Sequence, residues 1–283
     1  MATRKLDMGA AWSGATALIA QNKDTVSAIA GLFFFLPYLA VGLLAPDMAS
    51  PETPEIAPGA SPDAAMQAML EQLSNAYADN WPLFMGATVV QFIGSLALLA
   101  LLSNRDRPSV GEAIKRGFGA APSYFLAQVL SALLIGVIIG LPLGLSVATG
   151  SGVVAALLVP VLLMVALYIF VKFALLAPVI AIEGLRNPIA ALQRSWRLTK
   201  GNSFRIVLFL VLLFLTIGII AVLFSLVLGL VFALFDETVA NIGNAVVASL
   251  VNTLFAVVGL LVLASVHRQL AGPSGEQLAA TFE

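Results

Sequence analysis

The sequence has no cysteine, one histidine and few charged residues, and each scarcity excludes a class of protein. Without cysteine there are no disulfide bonds, no thiol catalysis and no thiolate metal sites. Only 10% of the 283 residues are charged, whereas a soluble domain carries about 25%. The net charge of −1 gives no basis for nucleic-acid binding.

Hydrophobic residues make up 60% of the chain, which is too much apolar surface for a water-soluble globule. A helix that crosses about 30 Å of hydrocarbon needs roughly 20 apolar residues. The sequence therefore predicts an all-α polytopic membrane protein, with six transmembrane helices in a single integral membrane domain over 1–283. The predicted spans are 26–45, 81–102, 123–147, 153–182, 206–235 and 244–266.

Prolines and span length predict irregular helices. The fourth and fifth spans are long enough to tilt or to extend beyond the lipid. Pro37, Pro142, Pro160 and Pro178 lie inside the first, third and fourth spans. Because proline removes a backbone hydrogen bond, each permits a bend.

The basic residues predict the orientation of the spans. All 14 lysines and arginines except Lys172 lie before the first span, between spans two and three, between spans four and five, or after the last span. The other connections carry only acidic charges. The positive-inside rule therefore places both termini in the cytoplasm, with 267–283 as a cytoplasmic tail. The first apolar run is longer than the core of a signal peptide, so we expect it to remain as a span.

One large external loop is predicted at 46–80. Its first part is rich in proline and should be extended. A helix at 64–78, with apolar residues at helical spacing, should rest on the outer face of the membrane as an acidic, solvated cap.

An internal repeat is the most informative pattern. A short amphipathic segment precedes each odd-numbered span, and 113–118 aligns without gaps with 191–196. Ser109 and Glu112 have the spacing of a capping box, and Asn187-Pro188 is a typical helix start. We therefore predict three repeats of in-plane helix, span and span, at roughly 6–102, 109–182 and 187–266.

Basic residues in and after the in-plane helices are the candidate site. An interfacial helix buries its apolar face at the headgroup boundary, and its basic face meets anionic lipid. In the alternative interpretation these helices are connecting elbows that set the angles between spans. The candidates for binding lipid or phosphate are Arg116, Arg194, Trp196, Arg197, Lys200 and Arg205.

Lys172 is the only charged residue well inside a span, which makes it a candidate for function. The alternatives are that Lys172 snorkels to the interface, or that it contacts backbone carbonyls that the prolines free. No carboxylate or histidine lies deep in a span, and His267 is expected to be an interfacial anchor. We therefore predict no catalytic residue, no metal and no cofactor.

The stretch 168–205 resembles the membrane domain that is fused to some bacterial glycerophosphoryl diester phosphodiesterases. It is also similar to a wider group of six-span bacterial inner-membrane proteins. The resemblance implies a bacterial inner-membrane location. It also places the phosphodiesterase chemistry in a separate soluble domain, and we expect this chain to be the membrane domain alone. The matching residues are Lys172-Phe173, Pro178, Glu183-Gly184, Pro188, Ala191-Leu192, Ser195-Trp196, Leu198-Thr199, Gly201 and Arg205.

Three functions remain open from the sequence. The first is a non-enzymatic inner-membrane protein that organises, senses or handles lipid, with membrane phospholipids as its partners. The second is a transporter or channel for an amphipathic or apolar solute. The third is an accessory domain of glycerophosphodiester metabolism. A second copy of the chain or another membrane protein is a further candidate partner, and nucleic acid is not.

Overall fold

The computed structural model describes residues 5–45, 61–102, 109–148 and 152–272. All regular structure within these ranges is helical, which confirms the all-α prediction. A π-helical turn, Gly31–Phe35, joins the helices Lys23–Ala30 and Leu36–Leu44. The helices are α1 (Met8–Gln21), α2 (Lys23–Ala30), α3 (Leu36–Leu44), α4 (Pro62–Leu101), α5 (Val110–Ala148), α6 (Gly152–Phe173), α7 (Leu176–Ile182), α8 (Pro188–Thr199), α9 (Ser203–Phe232) and α10 (Glu237–Ala271).

Six helical segments in the described ranges are long and apolar enough to cross a membrane, and each overlaps one predicted span. The prediction of six such helices is confirmed. The last helix extends beyond its predicted span at both ends. The six segments are Lys23–Leu44, Ala64–Leu101, Val110–Ser146, Leu157–Ile182, Ser203–Phe232 and Glu237–Ala271.

The helix predicted at 64–78 is present, but it is not separate from the second span. The predicted surface helix at 64–78 and the second span form one continuous helix, α4. Pro82 lies inside α4 and removes one backbone donor without ending the helix. The proline-rich part of that loop, 46–60, lies outside the described residues.

The in-plane helix predicted before the third span is also wrong as a separate element. Its residues continue into the span as α5, through Pro122. The predicted capping box is present, because Ser109 N donates to Glu112 Oε2 at 2.8 Å and Glu112 N donates to Ser109 Oγ at 3.3 Å. The cap starts the helix as predicted, and nothing in the following residues stops it.

The fourth span is interrupted between α6 and α7, and Pro178 explains the position of the break. Proline lacks an N–H and its ring clashes with the carbonyl four residues earlier, here that of Ala174. Ala174 and Leu175 are the two residues between the helices. The expectation that this proline bends the fourth span is therefore confirmed.

Pro37 is accommodated differently, by a widened turn. In the π-helical turn before it, Leu36 N–H donates to Gly31 O, five residues earlier. A turn of this kind changes the register of the backbone hydrogen bonds without ending the helix. The first span therefore stays helical through its proline.

Helix α8 begins where the sequence predicts, and a glycine follows its last residues. The Asn187 side chain caps it by accepting from Ile189 N at 3.0 Å and from Ala190 N at 3.1 Å. Gly201 follows the C-cap with φ +81°, a left-handed conformation that glycine adopts readily.

We predict that Asn187→Ala lowers the free energy of unfolding by about 1 kcal/mol, because two N–H groups at the start of α8 lose their acceptor. Asn187→Asp is the control, since it keeps the acceptor oxygen and should retain the wild-type value. Thermal or denaturant unfolding of the purified protein measures both. Equal losses in the two variants would show that the cap is not the cause.

The chain divides into two compact units. The first comprises the described residues within 1–26, 95–214 and 258–283, and the second comprises 27–94 and 215–257. In the first unit, buried Leu99, Ala177 and Ala264 form a cluster. In the second unit, Gly94 packs against Phe33.

Candidate functional site

Three helical segments of the first unit bury mostly small residues at a shared spacing. The buried positions follow i, i+4 and i+7 in each segment, which is one helix face. Small side chains on that face allow close helix packing. The three sets are Ala11, Ala15 and Leu18 in α1, Ala113, Gly117 and Ala120 in α5, and Ala191, Ser195 and Leu198 in α8.

Aromatic and basic side chains of the same segments are left on the surface. Trp12 is 44% exposed, Phe118 57% and Trp196 37%. Arg197 and Lys200 are exposed as well. These aromatic and basic side chains are therefore partly or fully accessible, whereas the residues at the i, i+4 and i+7 positions are buried within the first unit.

Lys172 is 2% exposed, and its ammonium group lies among aromatic rings. Its Nζ is 5.2 Å from the centroid of the Tyr168 ring and 5.3 Å from that of the Trp196 ring. Both distances are within the range of cation–π attraction. Among the described residues, the contacts of this ammonium are thus two aromatic rings, which differ from the carbonyl contact that was one of the alternatives.

Ser195 connects α8 to the break in the fourth span. Its Oγ donates to Lys172 O at 2.7 Å, and the residue is fully buried. Carbonyls in the last turn of a helix lack an intrahelical partner, and Lys172 is in the last turn of α6. The serine hydroxyl therefore supplies a donor at the helix end.

Glu183 is the centre of a cluster of charged residues that the sequence did not predict. Its carboxylate accepts from Arg194 Nε at 2.9 Å and from Arg194 Nη2 at 3.0 Å. His267 Nε2 lies 2.9 Å from Glu183 Oε1. Arg194 therefore forms an ion pair within the protein, and its predicted contact with a lipid phosphate stays a prediction.

The pKa of Glu183 is lowered to about 2 despite its partial burial. Burial raises this pKa. The hydrogen bonds with His267 and Arg194, together with the Arg194 charge, lower it by more than burial raises it. Glu183 therefore stays ionised at physiological pH, with its charge balanced within the cluster.

His267 is buried within the protein, where the sequence suggested an interfacial anchor. Its side chain is 3% exposed. Its Nδ1 has no hydrogen-bond partner among the described residues. The contact with Glu183 is thus the polar interaction that holds the ring in place.

Arg205 holds the segment that precedes α1. Its Nη1 donates to Leu6 O at 3.1 Å, and Leu6 N donates to Asn202 Oδ1 at 2.9 Å. Asp7 N and O exchange hydrogen bonds with the Gln269 amide, each at 3.1 Å. Arg205, a predicted lipid ligand, therefore has a structural contact within the protein.

A cavity of about 230 Å³ lies in the first unit. We call it the Arg116–Arg186 cavity after the two arginines that line it. Arg116 is thus the predicted candidate that the structure places in a cavity, whereas Arg197 and Lys200 lie outside its lining. The lining residues are Leu96, Ala100, Arg116, Ala120, Ile180, Ala181, Ile182, Glu183, Gly184 and Arg186.

Sequence reasoning missed Glu183, Arg186 and His267 as site residues. One signal was available, since Glu183 directly follows a span and His267 ends one on the same predicted side of the membrane. Charges of opposite sign at the same depth are natural partners, but the sequence does not show which spans are neighbours.

The comparisons with known proteins identify a family. No curated protein matches the chain, and no solved structure does. One family model matches residues 109–270, which include the Arg116–Arg186 cavity residues of α5 and α7 and the Glu183 cluster. Because this match covers more than half of the chain, the chain belongs to the family described as "Domain of unknown function (DUF7847)".

Proposed function

We propose that the chain is a non-enzymatic, multi-pass protein of the bacterial inner membrane that binds phospholipid at its cytoplasmic face. Through this contact it would organise, sense or handle membrane lipid. The observation that carries the proposal is the division of the three amphipathic segments into two faces. One face buries mostly small residues within the protein, and Trp12, Phe118, Arg197 and Lys200 are exposed outside that face.

The exposed face has the chemistry of a membrane interface. Tryptophan is enriched at the headgroup level, and each lysine or arginine near an anionic leaflet contributes about 1 kcal/mol. Trp12 and Trp196 supply the aromatic part, and Arg197 and Lys200 supply the charge. A surface of this kind favours anionic lipid over zwitterionic lipid.

The distribution of charge supports a topology with both termini in the cytoplasm. The i, i+4, i+7 pattern shared by α1, the start of α5 and α8 supports the proposed origin of the chain in three repeats. The family match starts at the second of these segments and spans the last two proposed repeats.

The contacts around Lys172 support the transporter hypothesis less than the lipid-binding proposal. Neither of the two described cavities includes Lys172 in its lining. Its side chain is packed against Tyr168 and Trp196, where a transported solute would need space. The role of an accessory domain in glycerophosphodiester metabolism rests on the sequence resemblance alone and stays a prediction.

We predict that Arg197→Gln with Lys200→Gln reduces the enrichment of phosphatidylglycerol around the protein. The two charges together contribute about 2 kcal/mol to anionic lipid contact. Enrichment is measured as the ratio of phosphatidylglycerol to phosphatidylcholine that copurifies from mixed nanodiscs, at low and high salt.

Gln193→Ala is the matched control, because Gln193 is an exposed, uncharged position on the same helix. It should keep the wild-type ratio and the salt dependence of that ratio. If the wild-type protein shows no preference for phosphatidylglycerol at low salt, the proposed function is wrong.

A further inference from the structure

We propose that two copies of this chain associate through one face of α10, with Asn252 at the centre of the contact. The inference rests on the part of the proposed function that places this helix across a membrane, and it goes beyond the lipid contact. Three features carry it: a row of amides on one exposed face, the depth of Asn252 in the span, and the match of these amides to a second copy.

A row of asparagines follows one face of α10. Asn244, Ala248 and Asn252 are spaced four residues apart, so they share a helix face. Asn241 lies one turn before them on the same side, and all four residues are exposed. We name these four residues the asparagine strip. The strip lies on a helix that is long and apolar enough to cross a membrane.

Asn252 lies deep in the predicted span. The middle of the apolar run 244–266 is residue 255, so at 1.5 Å per residue Asn252 is about 5 Å from the middle. Hydrocarbon contains no water that could bind an amide. An amide that is left there without a partner therefore costs free energy, and a hydrogen bond to another helix removes that cost.

The polar neighbours of Asn252 in α10 have hydrogen bonds within the helix. Ser249 Oγ donates to Ala245 O at 2.6 Å, and Thr253 Oγ1 donates to Ser249 O at 2.7 Å. Both hydroxyl residues are buried. Asn252 has no such bond to any residue that the structure describes. Its amide therefore keeps two donors and an acceptor for a partner outside the described chain.

The other sides of α10 around Asn252 suit their surroundings. Ala245 packs against Gly42 of α3 in the same unit. Leu250 and Leu254 point to the side opposite Asn252, and each is 50% exposed, as expected for side chains that meet acyl chains. The asparagine strip, by contrast, exposes amides that acyl chains cannot bind.

A second copy of the chain supplies the matching amides. Two copies that insert with the same topology are parallel, so a two-fold axis along the membrane normal brings equivalent residues together at the same depth. An amide is both a donor and an acceptor, so Asn252 of one copy can exchange hydrogen bonds with its equivalent in the other. A single asparagine at such a position also fixes the register and the number of helices in parallel coiled coils.

Ala248 makes this approach possible. It lies one turn from Asn252 on the same face, and small residues at contacts between membrane helices let the backbones come close. The strip therefore combines a small residue for close packing with amides for hydrogen bonding.

The first experiment uses disulfide crosslinking of the full chain. Because the chain has no cysteine, a single introduced cysteine reports a contact without background. Asn252→Cys in membranes from the expressing cells is oxidised with copper phenanthroline, and a dimer is expected on a non-reducing gel. Leu250→Cys is the matched control, since it lies at nearly the same depth on the opposite side, and it should stay monomeric.

The second experiment tests the amide itself. Asn252→Leu should raise the dissociation constant of the dimer about tenfold, as measured by native mass spectrometry over a dilution series in detergent. Asn252→Gln keeps an amide and should associate more strongly than Asn252→Leu. The unfolding temperature confirms that each variant is folded, and leucine at a position within lipid should not lower it.

Equal crosslinking of Asn252→Cys and Leu250→Cys, or a wild-type chain that is monomeric at every concentration, would overturn the inference. A linked product whose mass differs from twice that of the chain would replace the second copy by another membrane protein. Rapid labelling of Asn252→Cys by a charged maleimide that does not cross membranes would also overturn it, because the strip would then line a water-filled groove.

Phospholipid enrichment separates this inference from the proposed function. Asn252→Leu should keep the wild-type ratio of phosphatidylglycerol to phosphatidylcholine, because the exposed basic residues are unchanged. A monomeric wild-type chain that still enriches phosphatidylglycerol leaves the proposed function standing without the dimer. A dimer through Asn252 without that enrichment leaves the asparagine strip standing and contradicts the lipid contact.

Discussion

Replacing Glu183 by alanine is expected to lower the free energy of unfolding by about 3 kcal/mol. The change removes the shared acceptor of Arg194 and His267, and leaves a buried imidazole and a half-buried guanidinium without their partner. Removing one member of a buried ion pair typically costs 3–5 kcal/mol. Because the Glu183 side chain is 24% exposed, water can solvate the groups left without a partner. The expected loss is therefore at the lower end of that range. Denaturant unfolding of the purified protein measures the loss.

Glu237→Ala is the control, since it removes an exposed glutamate from the first turn of a helix. It should change the free energy of unfolding by about 0.5 kcal/mol or less. If Glu183→Ala matches this control, the cluster does not stabilise the fold.

The pH dependence of stability gives a second measurement of the same cluster. The pKa of Glu183 is about 2 in the folded protein, below the ordinary value of 4.5. The contribution of the Glu183 charge to the free energy of unfolding is therefore fully present above pH 4.5. It is lost as the pH falls from 4.5 toward 2. The difference in stability between wild type and Glu183→Gln should shrink over that range and stay constant between pH 6 and 8.

Local sequence determines the spans and the caps, so these could be predicted. Length and apolar composition located all six long helices, and Asn187-Pro188 located the start of α8. Whether a proline interrupts its helix was harder to predict. Pro178 interrupts its span, Pro82 does not, and Pro37 is absorbed by a π-helical turn, because the neighbouring packing decides whether a lost hydrogen bond ends a helix.

The candidate site depended on contacts between distant residues. Glu183 and His267 are 84 residues apart, and no local pattern joins them. Arg194 was predicted to face lipid, because it belongs to the basic face of an amphipathic helix. Its partner Glu183 comes from the segment before α8, and helix periodicity does not show that contact. For Lys172, the partner Tyr168 lies one helical turn away and was predictable, whereas Trp196 comes from another helix.

A single added methyl group in the second unit should be nearly as disruptive as the loss of Glu183. Gly94→Ala is expected to lower the free energy of unfolding by about 3 kcal/mol. A Cβ at Gly94 would lie 2.2 Å from Phe33 Cβ and 2.9 Å from Phe33 Cγ. Rotation of the phenyl ring cannot relieve the first contact, since Cβ is bonded to the backbone. Phe33 is itself buried within the π-helical turn, so the two helices must move apart.

Gly86→Ala on the same helix isolates the effect of this close approach. No atom lies within 4 Å of a Cβ at Gly86. Since alanine favours the helix over glycine by about 1 kcal/mol, this variant should be as stable as the wild type or more stable. Unfolding of both variants in the same detergent gives the comparison. A Gly94→Ala protein as stable as Gly86→Ala would mean that Phe33 does not constrain α4 at this point, and that the contact between the first and second spans tolerates a side chain.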